Sequence, residues 1–321
     1  MGSLDVDGTF TPPSVMLNNI KCGDSYTYFS DVPVSLRQNI GTECVLGIDE
    51  AGRGPVLGSM VYALFYLPLQ YHNSLLDETH HFDDSKVLSS KFRASLMQQL
   101  CTPGNDLYQH CGWATRVISA RDISAGMLRR TAVYNLNAQA MDATIDLIRS
   151  VLTQGINVAH IFVDTVGKPD AYQRKLEKIF PTKKITVAKK ADSIFPCVSA
   201  ASVCAKVTRD LALDASYKMT CATISISGGW GSGYPSDARC LTWMKSNMHP
   251  IFGWGPECRF SWGTAKDLLE NRCKNLIVQW PEEEDHVDGI KMSDFLPDSS
   301  ACDSSDNLKR WYGQKSAQNM F

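Results

Sequence analysis

Two adjacent carboxylates, Asp49 and Glu50, end the apolar run Val45-Leu-Gly-Ile48 and are followed at once by Ala-Gly52-Arg53-Gly54-Pro55. A sheet interior rejects ionised carboxylates unless they are paired or bind a cation. A strand that stops in two acids therefore stops where the sheet opens into a cleft. Gly52 and Gly54 let the backbone take dihedrals closed to other residues and approach a ligand closely, with the Arg53 guanidinium between them. An exposed acidic turn is the plain alternative for a bare Asp-Glu pair. The glycine-arginine bend, and further acids at later strand ends, weigh against it. Asp164 closes the run His160-Ile-Phe-Val163, and Asp192 stands between a brief strand at 185–188 and a helix. Singly, each reads as a turn or capping residue, so the inference rests on the set.

Carboxylates about 4 Å apart repel by roughly 4 kcal/mol at an effective dielectric near 20. Converged, the four acids fold only by taking up protons or divalent cations. With oxygen ligands alone and no His or Cys at ligand spacing, the expected ions are Mg2+ or Mn2+. Two of them can activate a water and steady the leaving oxygen of a phosphodiester. Charge nearby supports such a substrate. Between Lys168 and Asp210 stand ten Lys or Arg against four acids, in a chain whose net charge is only −2. Lys206 and Arg209, on the helix entered from Asp192, are the better phosphate candidates, and Ser199 shares their side. Lys86, in Asp84-Ser-Lys86 beside a helix start, is another.

The elements that must position these residues alternate strand and helix, which makes 44–275 a single α/β domain. The opening strand is followed by a second at 59–67, hairpin-connected to it, and by probable strands at 113–118, 160–163 and 185–188. Helices are expected at 89–100, capped by Ser89 or Ser90, and from Asp122 through Leu152 with Leu128, Val133, Leu136, Ala140, Ile145 and Ile148 on one buried stripe. Others are expected at 171–180, 197–213 and 237–248, with a last one ending near 277. A glycine-rich loop at 227–235 carries Tyr234.

Residues 1–38 are polar and read as a partly disordered N-terminal extension, 39–280 as the catalytic domain, and 281–321 as an acidic, disordered tail or partner-docking segment. From 282 to 306 there are nine acids against Lys291 alone. The 321 residues include eleven cysteines without regular spacing, read as reduced, buried thiols of a nuclear or cytosolic protein. No signal peptide or bilayer-length apolar run is present, so no membrane association is expected. Asp5-Val-Asp7-Gly-Thr9 matches a phosphatase nucleophile loop but lacks the buried strand that chemistry needs. Gln314 to Phe321 faintly resembles a sliding-clamp peptide, with Ala317 a poor fit at its aliphatic position.

The motifs together resemble the type 2 ribonucleases H, most closely the catalytic A subunits of the eukaryotic enzymes, over about residues 40–275. The resemblance rests on Gly47-Ile-Asp-Glu-Ala-Gly-Arg-Gly-Pro-Val-Leu-Gly58, Asp84-Ser-Lys86, Tyr134-Asn-Leu-Asn137 and Phe162-Val-Asp-Thr-Val-Gly167. Further matches are Lys190-Ala-Asp192, Val198-Ser-Ala-Ala-Ser202, Cys204-Ala-Lys206, Gly231-Ser-Gly-Tyr-Pro235 and Arg259-Phe-Ser-Trp262. Ser59 departs from the family's usual proline. The resemblance implies a ribonuclease H-like fold, a mixed sheet flanked by helices with a C-terminal helical extension. It implies Asp49, Glu50, Asp164 and Asp192 as metal ligands. It further implies cleavage of the RNA strand of RNA·DNA hybrids, nicking 5′ of a ribonucleotide in duplex DNA, and a nuclear heterotrimer with B and C subunits. Gly52-Arg53-Gly54 would meet the ribose 2′-hydroxyl, the group that separates RNA from DNA, and Tyr234 the following sugar. A non-catalytic nucleic-acid-binding subunit is the rival reading.

Overall fold

A computed structural model of the chain describes residues 2–4, 10–39, 41–82, 88–130, 132–221 and 229–272. They form a six-stranded sheet from β1 (Tyr26–Phe29), β2 (Cys44–Ala51), β3 (Met60–Pro68), β4 (Gly112–Ile118), β5 (Val158–Asp164) and β6 (Lys184–Ala188). The spatial order is β1-β4-β3-β2-β5-β6. The first four are antiparallel neighbours, while β2-β5 and β5-β6 are parallel. The α-helices of eight residues or more are α1 (Ser90–Cys101), α2 (Ala120–Met127), α3 (Leu136–Thr153), α4 (Pro169–Ile179), α5 (Pro196–Thr220), α6 (Ala238–Ser246) and α7 (Gly263–Arg272).

Alternation along the strands divides the core. Val45, Ala63, Phe65, Leu67 and Trp113 pack on one face with Val198, Ala201 and Val203 of α5. Leu46, Ile48, Leu64, Tyr66 and Ala114 pack on the other with Ile145, Ile148 and Val151 of α3. α5 lies so close to β2 that a Cβ on Gly47 would sit 2.6 Å from the backbone nitrogen of Val198 and overlap the Cys197 carbonyl. Only glycine fits there, and the close approach sets the depth of α5 beneath the acids. The nine described cysteines are free and seven are buried. Among the described residues no helix is long and apolar enough to cross a membrane.

Two features differ from the sequence expectation. Residues 10–38 are not an extension: β1 is the edge strand, paired to β4 from Tyr26↔Val117 to Phe29↔Ala114. The Tyr26 hydroxyl donates to the Ser14 carbonyl (2.9 Å), and the Ser14 and Thr208 hydroxyls are hydrogen-bonded at 2.7 Å in a buried site. The long helix expected from Asp122 to Leu152 breaks between α2 and α3. The chain returns over Gly126, whose carbonyl accepts from the Tyr134 amide (3.1 Å), and Asn135 caps α3 by accepting from the Ala138 amide (2.9 Å). Val133, assigned to the buried stripe, is exposed.

On the α5 side, His72 stacks on Phe162 at 6.2 Å and Phe162 on His160 at 3.9 Å. His72 Nε2 is buried without a hydrogen-bond partner among the described residues. Burial holds the His72 imidazole below its ordinary range despite Asp77, and burial, then Lys184, then His72 do the same to His160. Both therefore take up a proton less readily when folded, so the unfolded chain binds more protons as pH falls through their ordinary value of about 6.5. The thermal midpoint should drop by several degrees between neutral pH and pH about 5.5, and His72→Phe should shrink that drop. Identical pH profiles for the two proteins would refute this.

Candidate active site

The register of the parallel pair β2-β5 brings the acids together. Ile48 pairs with Val163, so Asp49 and Asp164 come next on adjacent strands. By strand alternation both fall on the α5 face and Glu50 on the opposite one. Asp49 is accordingly buried, while Glu50 and Asp164 are half-buried. Carboxylate oxygens of Asp49, Glu50 and Asp164 lie within 4.8 Å of one another. Asp192 follows β6 in the short turn Ala191–Ser193 and is 3% exposed. That turn is clipped to the cluster by the Ala191 amide, which donates to Asp164 Oδ1 at 2.7 Å. All four acids line one cleft of about 370 Å³, with Lys189, Lys190, Ser202 and Lys206. Burial, then Glu50, then Asp164 raise the Asp49 carboxyl well above the ordinary range, against hydrogen bonds from Ser202 and the Glu50 amide. An all-oxygen donor set this close, with a carboxyl reluctant to ionise, fits a hard divalent cation.

Beyond Asp49 the chain turns through the glycine-arginine elbow. Gly52 has φ +79°, and a Cβ there would sit 2.8 Å from the Ser59 carbonyl oxygen and 3.1 Å from Arg209 Cγ. The elbow's carbonyls are held by Arg259, which is fully buried. Its Nε donates to Gly58 O (2.9 Å), Nη1 to Arg53 O (2.9 Å) and Nη2 to Gly52 O (2.7 Å). Burial pushes its pKa down to about 9, so it stays charged at neutral pH. Trp262, under the Arg259 guanidinium at 4.8 Å, donates through Nε1 to Gly54 O (3.0 Å). The Arg53 side chain donates to the Tyr62 hydroxyl (3.0 Å) and to Asn137 Oδ1 (2.6 Å). Tyr234 sits against Gly54, where a Cβ would meet its ring at 3.0 Å, and is 37% exposed. Its loop is joined to the elbow because the Val56 and Leu57 amides donate to Gly233 O (2.9 and 3.2 Å).

The expected basic contacts divide. Lys206 lines the cleft. Arg209 is 7% exposed, donates to Ser232 O and to Asp210 Oδ1, and lies 5.6 Å from the centre of the Tyr234 ring. It therefore braces the tyrosine loop instead of standing open to phosphate. Ser199 is wholly buried, and its side of α5 reaches the cleft only at Ser202 and Lys206. Lys86, the Asp5–Thr9 motif, the acidic tail and residues 314–321 lie outside the described residues. Arg259, Trp262, Tyr62 and Asn137 have no role in the sequence expectation, although two motifs behind the resemblance contain three of them. Lys189 counts there only as part of a general basic segment and Lys190 also as the first residue of the Lys190-Ala-Asp192 motif, neither with a role of its own.

Comparison with known proteins agrees with this geometry. The family model described as Ribonuclease HII matches residues 46–265. The A subunit of ribonuclease H2 from Neurospora crassa is 52% identical over 99% of this chain and 98% of its own length. The protein of that name from Schizosaccharomyces pombe is 50% identical over 86% of this chain and 82% of its own. The crystal structure of ribonuclease H2 from Pyrococcus horikoshii superposes with a TM-score of 0.58 at 25% identity, covering 72% of this chain and all (100%) of that one. With the converged acids, the pinned elbow and a family match from β2 into α7, the chain belongs to the ribonuclease HII family.

Proposed function

We propose that the protein is the catalytic member of a ribonuclease H2 complex. It would hydrolyse the RNA strand of RNA·DNA hybrids and nick duplex DNA 5′ of a single embedded ribonucleotide, in ribonucleotide removal during nuclear DNA replication and repair. The observation that carries this reading is the adjacency on one chain segment of a carboxylate cluster and a backbone elbow fixed from behind by Arg259. Asp49, Glu50, Asp164 and Asp192 would hold two Mg2+ or Mn2+ ions, which supply activation of the attacking water and charge neutralisation at the leaving oxygen. Gly52, in a left-handed turn closed to residues with a Cβ, and Gly54, packed against Tyr234, let the elbow present main-chain groups to a sugar, where a 2′-hydroxyl would find hydrogen-bonding partners that a deoxyribose cannot use. Arg53, already aimed by Tyr62 and Asn137, offers its charge to the adjoining phosphate. Tyr234, with one edge of its ring against Gly54 and 37% of the residue exposed, offers a surface to the sugar that follows. Lys206, which lines the cleft, would supply positive charge there. Relatives that are named as the A component of ribonuclease H2 support a complex with B and C subunits.

The test is cleavage mapping on a DNA duplex containing one ribonucleotide, with the chain alone and with its partners. A cut immediately 5′ of the ribonucleotide, leaving 3′-hydroxyl and 5′-phosphate ends, is expected. A chain that binds this duplex but never cuts it, with or without partners, would instead be a non-catalytic binding protein. Tyr234→Ala should lower cleavage at a lone ribonucleotide by about 10- to 100-fold, the cost of one lost aromatic platform. Loss on a long hybrid should be much smaller. Equal losses would remove Tyr234 from junction recognition.

A further inference from the structure

The two acids on β5 and its neighbouring turn each precede an exposed aliphatic side chain by two residues. Val166, after Asp164, is 70% exposed, and Ile194, after Asp192, is 57% exposed. Single exposed aliphatics are ordinary, but the loops that carry these two are tied together. The Thr165 amide donates to Ala188 O at 3.1 Å and the Ala191 amide to Asp164 Oδ1 at 2.7 Å. Val166 lines the carboxylate cleft together with Lys189 and Lys190. Both lysines are exposed, and among the described residues neither is in an ion pair. Lys190 has φ +56°, a left-handed conformation that side chains other than Asn and Asp seldom adopt. Strain of that kind tends to be kept where a site needs it.

The strand order says what these residues face. The elbow leaves β2 toward β3, whereas β5 and β6 lie on the other side of β2. A nucleic-acid strand with a ribose at the elbow and the next phosphate at the acids must continue over the loops after β5 and β6. Because the cut falls 5′ of the ribonucleotide, that continuation is the 5′ flank, the part that departs with the 3′-hydroxyl. We propose that Lys189, Lys190, Val166 and Ile194 form a binding edge for the nucleotides 5′ of the scissile phosphate, a proposal that rests on the ribonucleotide-nicking reading. The lysines pair with backbone phosphates, and the two aliphatics pack against the deoxyribose faces between them. Continuity with the cleft and opposite charge both favour this occupant over a protein surface.

Two double variants separate the contributions: Val166→Ser with Ile194→Ser, and Lys189→Gln with Lys190→Asn. Asparagine tolerates the left-handed backbone, so the second removes charge without refolding the turn. All four positions are exposed, and stability should be unchanged. Steady-state cleavage is measured with the full chain co-expressed with its B and C partners. The substrates are a single-ribonucleotide duplex, the same duplex with its 5′ flank trimmed close to the ribonucleotide, and one trimmed equally on the 3′ side. On the full and 3′-trimmed duplexes each double variant should raise KM about tenfold with little change in kcat. On the 5′-trimmed duplex it should match wild type. The lysine pair should also lower the slope of log KM against log salt by about 1.8, and the aliphatic pair should leave it alone. Unchanged KM on the full duplex, or an equal loss on the 5′-trimmed one, would overturn the binding edge. Failure of the wild-type complex to cut beside the ribonucleotide would overturn the nicking reading itself, and the edge with it.

Discussion

Asp49→Asn should abolish cleavage and at the same time raise the thermal midpoint of the metal-free protein. The two effects share one cause. Asp49 is 5% exposed and faces Glu50 and Asp164 within 4.8 Å. At that separation each charge pair repels by roughly 3–4 kcal/mol at an effective dielectric near 20. Burial and those two neighbours raise its carboxyl above the unfolded value of 3.8. A carboxyl raised on folding subtracts stability as pH climbs past its unfolded value, because the unfolded chain gives up the proton more readily. Asparagine keeps the shape and the acceptor for the Glu50 amide (2.7 Å to Asp49 Oδ1 in the parent) but carries no charge. Relieving one such repulsion should stabilise the metal-free protein by up to the roughly 3–4 kcal/mol of a single pair, at about 2–4 °C per kcal/mol for a domain of this size. The gap between variant and parent should widen from pH about 4 to pH about 7. Mg2+ should raise the midpoint of the parent and leave that of the variant nearly unmoved, while cleavage falls by more than about a thousandfold. A metal-free variant less stable than the parent, or one that still cuts, would break the link between the buried charge and the metal.

The second large effect belongs to a residue outside the acid cluster. Arg259→Gln removes donors from three carbonyls, those of Gly52, Arg53 and Gly58. Each buried carbonyl left without a partner costs about 1–3 kcal/mol, so the midpoint should fall by at least about 6 °C. The elbow would also lose the constraint that fixes where its amides point. A displacement of about 1 Å at a positioning group costs on the order of a hundredfold in rate, and the loss should be greatest on a lone ribonucleotide, where one sugar must be found. Arg259→Lys, which keeps the charge but not the three-way fork, should recover part of the midpoint and little of the selectivity. Equal losses on hybrid and single-ribonucleotide duplexes would mean that Arg259 supports the fold alone.

How much of this was readable from residues depended on the range of the interactions. Asp49 and Glu50 stood out because an apolar strand ending in two acids is a local contradiction that only a cleft resolves. Gly52 and Gly54 declared their backbone needs in the same few residues. Strands β2 to β6 and most helix starts followed from period and capping, and Ser89 does accept from the Phe92 amide at 3.2 Å. What stayed hidden was set at long range. Arg259 looks like any basic residue until the fold lays it under carbonyls some 200 positions away. Arg209 and Ser199 share one side of α5, but spacing does not say what covers that side: Ser232 and Tyr234 cover Arg209, and Ser199 is wholly buried. The break between α2 and α3 escaped because Leu128 and Leu136 keep helical spacing across it. The strand at 26–29 escaped because four residues with one paired edge carry almost no alternation.

That short strand bears on how the chain is divided for expression. A fragment begun at residue 39 would leave the outer side of β4 without its ladder from Tyr26 to Phe29 and Thr208, within α5, without the hydroxyl of Ser14. Bare strand margins recruit whatever backbone is nearest, usually another copy. Insolubility of such a trimmed fragment would then record a missing neighbour and say nothing against the catalytic half.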